Sequence, residues 1–209
     1  MKTFESFVVN YEYPLTSSLN QRTITADYPE GPGILAMVAP QVEINVFIFA
    51  AMHRWRFQLD YFIHLLSANS RHGTHSPFVY RLVDEVIYAR RQTGEPRDKL
   101  ERTIARLIRR FQPRMVQTLD TGLSNGSLDF VVVGTADPEI VSNLLWQYWP
   151  AFHPGSVLVV LGIYRDERMK QLWRSIKAKP EVTVTVDLFH AGLVFFHSGQ
   201  AKEDFKIKF

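Results

Sequence analysis

The first strong hydrophobic periodicity of the chain follows His53. Large apolar side chains then recur at the spacing of one helix face, at Trp55, Leu59, Phe62, Ile63 and Leu66. Two further stripes follow at the same spacing, one opened by Ser76-Pro77 and one lying between Pro96 and Pro113. Ser then Pro is a good N-cap and first-turn pair, and Pro113 cannot continue a helix. The pattern therefore predicts three amphipathic helices between residues 52 and 112, the third opened by Pro96.

After Pro113 the pattern changes to short apolar runs separated by turn residues and helices. Such alternation is typical of a layered α/β sheet. The predicted strands cover residues 115–119, 128–133 and 156–161. Asp137-Pro138 and Asp166 open a helix after each of the last two strands. Two strand-helix units are therefore predicted.

The last part of the chain has the composition of paired strands. Residues 182–188 and 192–196 are rich in β-branched and aromatic residues, and only three residues separate them. So short a gap requires an antiparallel hairpin, because a parallel crossover needs a dozen residues or more. Residues 205–209 alternate in character and predict a final edge strand whose lysines discourage pairing with other chains. The predicted fold is α/β, with a small, mostly parallel sheet, an antiparallel end and helices on both faces.

Residues 1–51 differ from the rest in composition and pattern, with four prolines and no helical periodicity. They read as an irregular N-terminal extension ahead of a helical region at 52–112 and an α/β region at 113–209. One interpretation takes Met52 as the biological start of the protein. The alternative is that residues 42–49 add a short strand to an edge of the main sheet.

Composition limits the chemistry that the chain can carry. With no cysteine, disulfides and thiolate metal sites are excluded, and a reducing cytoplasm fits. No signal peptide is evident, and the apolar stretch at 34–52 is interrupted by polar residues, so no membrane segment is predicted. His72 and His75 lack an evident third ligand, which argues against a metal site.

The net charge of +3 is small, and one basic concentration stands out. It comprises Arg106, Arg109, Arg110 and Arg114. Without interleaved aromatic residues it is interpreted as the solvated face of one helix, and no nucleic-acid partner is predicted.

Several local sequences resemble a class I S-adenosylmethionine-dependent methyltransferase-like family of the Bacteroidetes. They are H-G-T-H-S-P-F-V at 72–79, L-I-R-R-F-Q-P at 107–113, L-D-F-V at 128–131 and most of 173–196. The likeness runs in order over most of residues 55–209. It implies a Rossmann-like sheet, at least in part, over 113–209, which binds S-adenosylmethionine and transfers its methyl group to an unidentified acceptor. The cofactor-binding candidates that it implies are Thr121, Gly122 and Gly134, and it singles out no catalytic residue.

The chain departs from that family where the cofactor would sit. The family's turn, roughly E-x-G-T-S-x-G, has Thr118 at its acidic position and Asp120 and Ser124 at its two glycines. A side chain at such a glycine blocks the close approach of a cofactor. Only eight residues lie between Leu119 and Leu128, too few for the missing strands or for one parallel crossover. Residues 115–119 are therefore expected either to pair antiparallel with the next strand or to lie outside the sheet.

Two further acidic positions of the family have lost their charge. Gly134 replaces the acid after the 128–133 strand, and Leu161-Gly162 replaces an Asp-Asp pair that could help to bind a divalent cation. The resemblance then implies a degenerate methyltransferase homologue without robust catalysis that retains no cofactor and persists either as a binding or interaction module or as a decaying gene product. The alternative is an active methyltransferase whose site is completed by an oligomer partner. A homodimer could form through the sheet edge where the absent strands would lie.

Overall fold

The computed structural model describes residues 54–68, 76–119, 123, 126–134, 137–197, 199 and 201–209. By its internal packing the chain divides into two compact units, Met1–Trp55 and Arg56–Phe209. The second unit contains the whole described sheet. The strand predicted at 42–49 lies outside the described residues. Among the described helices, none has the length and apolar character that crossing a membrane requires.

The helices begin close to where the apolar stripes predict. Helix α1 covers residues 54–67. The others are α2 (Pro77–Leu82, continuing as a π-helical turn at Val83–Ile87), α3 (Lys99–Phe111), α4 (Pro138–Tyr148) and α5 (Glu167–Ala178). The predicted opening of the third helix by Pro96 is wrong. The Asp98 side chain accepts a hydrogen bond from the backbone N–H of Glu101, at 2.8 Å, and α3 starts directly after this cap.

Six strands form one mixed sheet. They are β1 (Val116–Thr118), β2 (Leu128–Val133), β3 (Phe152–Leu161), β4 (Val184–Asp187), β5 (Ala191–Phe195) and β6 (Glu203–Lys206). Their spatial order is β1-β2-β3-β5-β4-β6, and only β5 runs antiparallel to its neighbours. The predicted α/β fold, the mostly parallel sheet and the antiparallel hairpin are confirmed. The predicted edge strand is β6, which begins two residues before residue 205 and pairs with β4.

The expected placement of residues 115–119 is wrong. Strand β1 belongs to the sheet and pairs parallel with β2, with Val116 opposite Phe130 and Thr118 opposite Val132. Because β1 has only three residues, the chain must return roughly 14 Å to begin β2 at Leu128. Ten residues of extended chain span about 33 Å, so the connection can close without a helix. The usual minimum for a parallel crossover applies to strands of ordinary length.

Alternation along the strands places helices on both faces of the sheet. On one face, Val194 of β5 belongs to a buried cluster with Val141 of α4 and Leu172 of α5. Its neighbour Phe195 points to the other face, where its ring contacts Phe78 of α2 and Phe111 of α3, with centroids 5.1 and 5.6 Å apart. The sheet is therefore the middle of three layers.

The contact between α5 and β5 depends on a glycine. A Cβ atom built on Gly192 would lie 2.6 Å from the ring of Trp173, closer than real side chains approach. Trp173 is 4% exposed and lies in the same buried cluster as Val194. The missing side chain at Gly192 is what allows the indole to lie directly on the strand.

Candidate functional site

The carboxyl ends of the strands are the first place to look for a site, because α/β sheets bind ligands there. Gly134 directly follows β2 at this edge and is half-buried. Thr118, the position of the family's acid, ends β1 and is buried. The other two cofactor-binding candidates, Thr121 and Gly122, lie outside the described residues. The structure thus places one of the three candidates at the expected edge.

Asp187, the last residue of β4, is the centre of a buried polar cluster at the same edge. Its Oδ2 accepts a 2.8 Å hydrogen bond from the hydroxyl of Tyr164, and its Oδ1 accepts a 2.9 Å bond from the backbone N–H of Phe189. The Nε2 atom of His64, from α1, lies 3.0 Å from Oδ1. Asp187, His64 and Tyr164 are called the carboxyl-end cluster below.

The environment of this cluster stabilises an ionised carboxylate beside a protonated phenol. Burial alone would raise the pKa of Asp187, but the bonds from His64, Phe189 N–H and Tyr164 together hold that pKa below its usual range. For Tyr164, burial and then the negative charge of Asp187 raise the pKa above its usual range. Tyr164 therefore stays protonated at neutral pH, and its hydroxyl donates a hydrogen bond to the carboxylate.

Aromatic rings enclose the cluster. Tyr164 stacks on the buried ring of Phe189 at 4.7 Å, and Phe57 and Tyr61 of α1 meet the same ring edge-on at 5.0 and 4.9 Å. Asp60 of α1 also forms an ion pair with Lys170 of α5. These contacts fasten α1 across the carboxyl end of β4.

A histidine, an acid and a tyrosine can perform acid-base chemistry when a substrate reaches them. The His64 side chain is only 1% exposed, however, and the Asp187 side chain 5%. The oxygens of Asp187 are already bonded to three groups of the protein. The arrangement therefore anchors α1 rather than presenting a reactive group.

Two other carboxylates near this edge cap the N-termini of helices. The Asp137 side chain accepts from the N–H of Glu139 at the start of α4. The Asp166 side chain accepts from the N–H of Met169 at the start of α5. In the part of the chain that the structure describes, no three metal-ligating side chains come together.

The basic concentration on α3 is not a uniformly solvated face, so its interpretation from the sequence is wrong for Arg106. The side chain of Arg106 is buried and makes a two-pronged ion pair with Glu95, at 2.8 and 2.6 Å. It also donates to the carbonyls of Val86, Ala89 and Arg90, which follow α2. The bond from Arg106, with one from the N–H of Gln92, lowers the pKa of Glu95 to about 2.

Arg106 lies one residue before buried Leu107 and three after buried Thr103. That spacing on the inward face of α3 is the signal that could have shown its burial. Its neighbours Arg109 and Arg110 line a cavity of about 310 Å³ with Glu85 and Glu95. Because Arg106 and Arg110 are both paired with glutamates, the cavity has little free positive charge to hold an anion.

At the opposite edge of the sheet, Asp129 at the start of β2 connects neighbouring strands. Its Oδ1 lies 3.0 Å from Nε2 of His153 in β3, and its Oδ2 accepts from the N–H of Arg114, just before β1. Burial opposes ionisation of Asp129, but these bonds lower its pKa. The Asp of the L-D-F-V motif thus joins the beginnings of three parallel strands.

These observations define an α/β protein with a six-stranded mixed sheet whose carboxyl edge is closed over β4 by a helix. Comparison with protein-family models, with curated proteins and with solved structures finds no match.

Proposed function

We propose that this protein is a degenerate S-adenosylmethionine-dependent methyltransferase homologue that lacks robust catalysis and serves as an interaction module. The local sequences at 72–79, 107–113 and 128–131 support the relationship. The order of strands supports it too. Three parallel strands, β1 to β3, followed by antiparallel β5 resemble the second half of a class I methyltransferase sheet.

The observation that carries the loss of catalysis is that the described acids at the carboxyl edge are already bonded within the protein. A nucleoside cofactor needs a carboxylate that is free to accept from its ribose hydroxyls. Asp187 is buried and bonded to three protein groups, and Asp137 and Asp166 cap helices. In place of the family's acid after β2 stands Gly134, which has no side chain to offer.

The position of β1 supports the same conclusion. Dinucleotides bind α/β folds where strand order reverses, in a crevice between two halves of the sheet. In the described sheet β1 is the outermost strand, so that crevice would have only one wall. S-adenosylmethionine is therefore the cofactor of the ancestor in this proposal, and this chain retains none.

Isothermal calorimetry with S-adenosylmethionine and with S-adenosylhomocysteine tests the proposal on the full chain. No binding heat is expected, and neither compound should raise the melting temperature. A micromolar Kd would overturn the proposal. Such binding would also raise the melting temperature, because ligand at 100 times its Kd stabilises the folded protein by about 2.7 kcal/mol. If binding is seen, Gly134→Leu shows whether it occurs at the carboxyl edge.

The same titration distinguishes the alternative, an active enzyme completed by an oligomer partner. In that case the affinity for S-adenosylmethionine would rise with protein concentration. Two observations argue against a homodimer through the β1 edge: β1 has only three residues, and Gln117 and Thr118 are buried. That pairing stays a prediction.

A further inference from the structure

Helix α1 carries apolar side chains on two sides. On the inner side, the rings of Phe57, Tyr61 and His64 face the ring of Phe189, with centroids 5.0, 4.9 and 5.5 Å away. On the outer side four large side chains are exposed, namely Leu59 (58%), Phe62 (59%), Ile63 (50%) and Leu66 (73%). These four are called the outer stripe.

The outer stripe is large for a surface that stays in water. Its exposed fractions correspond to roughly 480 Å² of apolar surface, taking about 200 Å² for a fully exposed large side chain. The largest apolar patch on a soluble monomer is typically about 300–600 Å² and is often functional. Trp55, one turn earlier in the same helix, is 78% exposed. With Trp55 included, two copies together offer roughly 1,200 Å², the low end for specific protein interfaces.

The spacing along the stripe indicates what covers it. Trp55, Leu59, Phe62 and Leu66 are separated by four, three and four residues. This is the alternation of the a and d positions of a coiled coil, which another α-helix fits by inserting its side chains between them. A partner that is itself a helix with this spacing is therefore favoured.

We infer that the outer stripe pairs with the same stripe of a second copy of this chain, with the two α1 helices antiparallel about a twofold axis. Such a surface must be complementary to itself. In this arrangement Leu59 lies opposite the partner's Phe62, so the smaller side chain of each pair faces the larger one. Arg54 and Arg56, at the start of α1, come near the C-terminal end of the partner helix, whose carbonyls carry partial negative charge. A parallel pair would place four arginines together instead.

Light scattering and sedimentation of the full chain, between about 1 and 200 µM, test the pairing. The expected mass rises with concentration from the 24.2 kDa monomer toward twice that value. Leu59→Glu and Phe62→Glu should each raise the dimer Kd by at least about tenfold, because they place a charge at the centre of the contact. Ile140→Glu is the matched control, since Ile140 is a 56% exposed apolar residue of α4, and it should leave the Kd unchanged.

Three results would overturn the inference. They are a monomer at every concentration, a dimer that is indifferent to both stripe variants, and a dimer that Ile140→Glu weakens equally. Circular dichroism of each variant verifies that it is folded, which the exposure of the substituted positions favours. The readout is mass, so the outcome does not depend on the calorimetry with S-adenosylmethionine.

Because the natural chain has no cysteine, introduced thiols report the orientation directly. In the antiparallel pair, Leu66 residues of the two copies are about 16 Å apart along the axis. A disulfide needs Cα atoms within about 7 Å. Oxidation of Leu66→Cys alone should give no cross-link, whereas a mixture of Leu66→Cys with Trp55→Cys should. The reverse result would indicate parallel helices and overturn the proposed arrangement.

Discussion

The Nε2 atom of His64 lies 3.0 Å from Oδ1 of Asp187, although 123 positions separate the two residues in the chain. This contact joins α1 to the last residue of β4. It also leaves Asp187 dependent on His64 for one of the bonds that keep a buried carboxylate ionised.

Replacing His64 by Ala should destabilise the protein by about 2 to 4 kcal/mol, because a buried charge loses its partner and the ring leaves a cavity. Chemical denaturation followed by tryptophan fluorescence measures the change. Gln58→Ala, at an exposed position of the same helix, is the control and should change the free energy of unfolding by less than about 0.5 kcal/mol. Equal effects of the two substitutions would contradict an anchoring role for His64.

Replacing Gly192 by Ala should destabilise the protein by about 1 to 3 kcal/mol, since the new Cβ would overlap the Trp173 ring. Trp173→Leu removes that ring, so the double variant should lose less stability than the sum of the two single losses. Gly126→Ala serves as the control, because a Cβ there meets no atom within 4 Å. Strictly additive losses would show that the two residues do not collide.

Arg106 should be the most sensitive of the arginines on α3. Arg106→Ala leaves Glu95 without its main partner and frees three backbone carbonyls, so the denaturation midpoint should fall well below that of the natural protein. Arg109→Ala, which removes an exposed side chain 3.7 Å from Glu95, should hardly change it. Arg106→Lys should rescue little, because an ammonium group cannot reproduce the guanidinium's spread of donors. Full rescue by lysine would mean that charge alone matters.

Stability should fall in acid as Glu95 takes up a proton. The folded pKa of Glu95, about 2, lies below the ordinary value of 4.5, so its contribution is present above pH 4.5 and is lost as the pH falls toward 2. In Glu95→Gln this part of the pH dependence should disappear, leaving a shallower decline. Urea denaturation at closely spaced pH values between 2 and 5 gives both curves. Parallel curves for the two proteins would contradict the prediction.

Much of the fold could be predicted because its signals are local. The 128–133 strand is an apolar run bounded by turn residues, and its predicted bounds are those of β2. The hairpin followed from the three residues between two β-branched runs, and β4 and β5 do pair antiparallel. In both cases the information lies within about fifteen residues of sequence.

The errors concern relations that no local pattern encodes. The direction of β1 depended on the distance from the end of β1 to the start of β2. The length of β1 sets that distance. The candidate site was harder still to predict, since His64, Tyr164 and Asp187 come from three distant segments. His64 falls on the inward side of α1, where a histidine could equally well have been an ordinary buried residue. Of the three cofactor positions that the resemblance implied, only Gly134 is among the described residues.

The attachment of α1 to β4 has a consequence for how the chain is synthesised. Residues 54–67 leave the ribosome more than a hundred residues before Asp187, which at 5 to 20 residues per second is a delay of roughly 6 to 25 seconds. Throughout that interval the inner side of this helix lacks β4, and Phe57 and Tyr61 have no Phe189 to contact. The nascent protein therefore passes through a stage in which both apolar sides of one early helix face water, and a chaperone that shields such segments would act on it then.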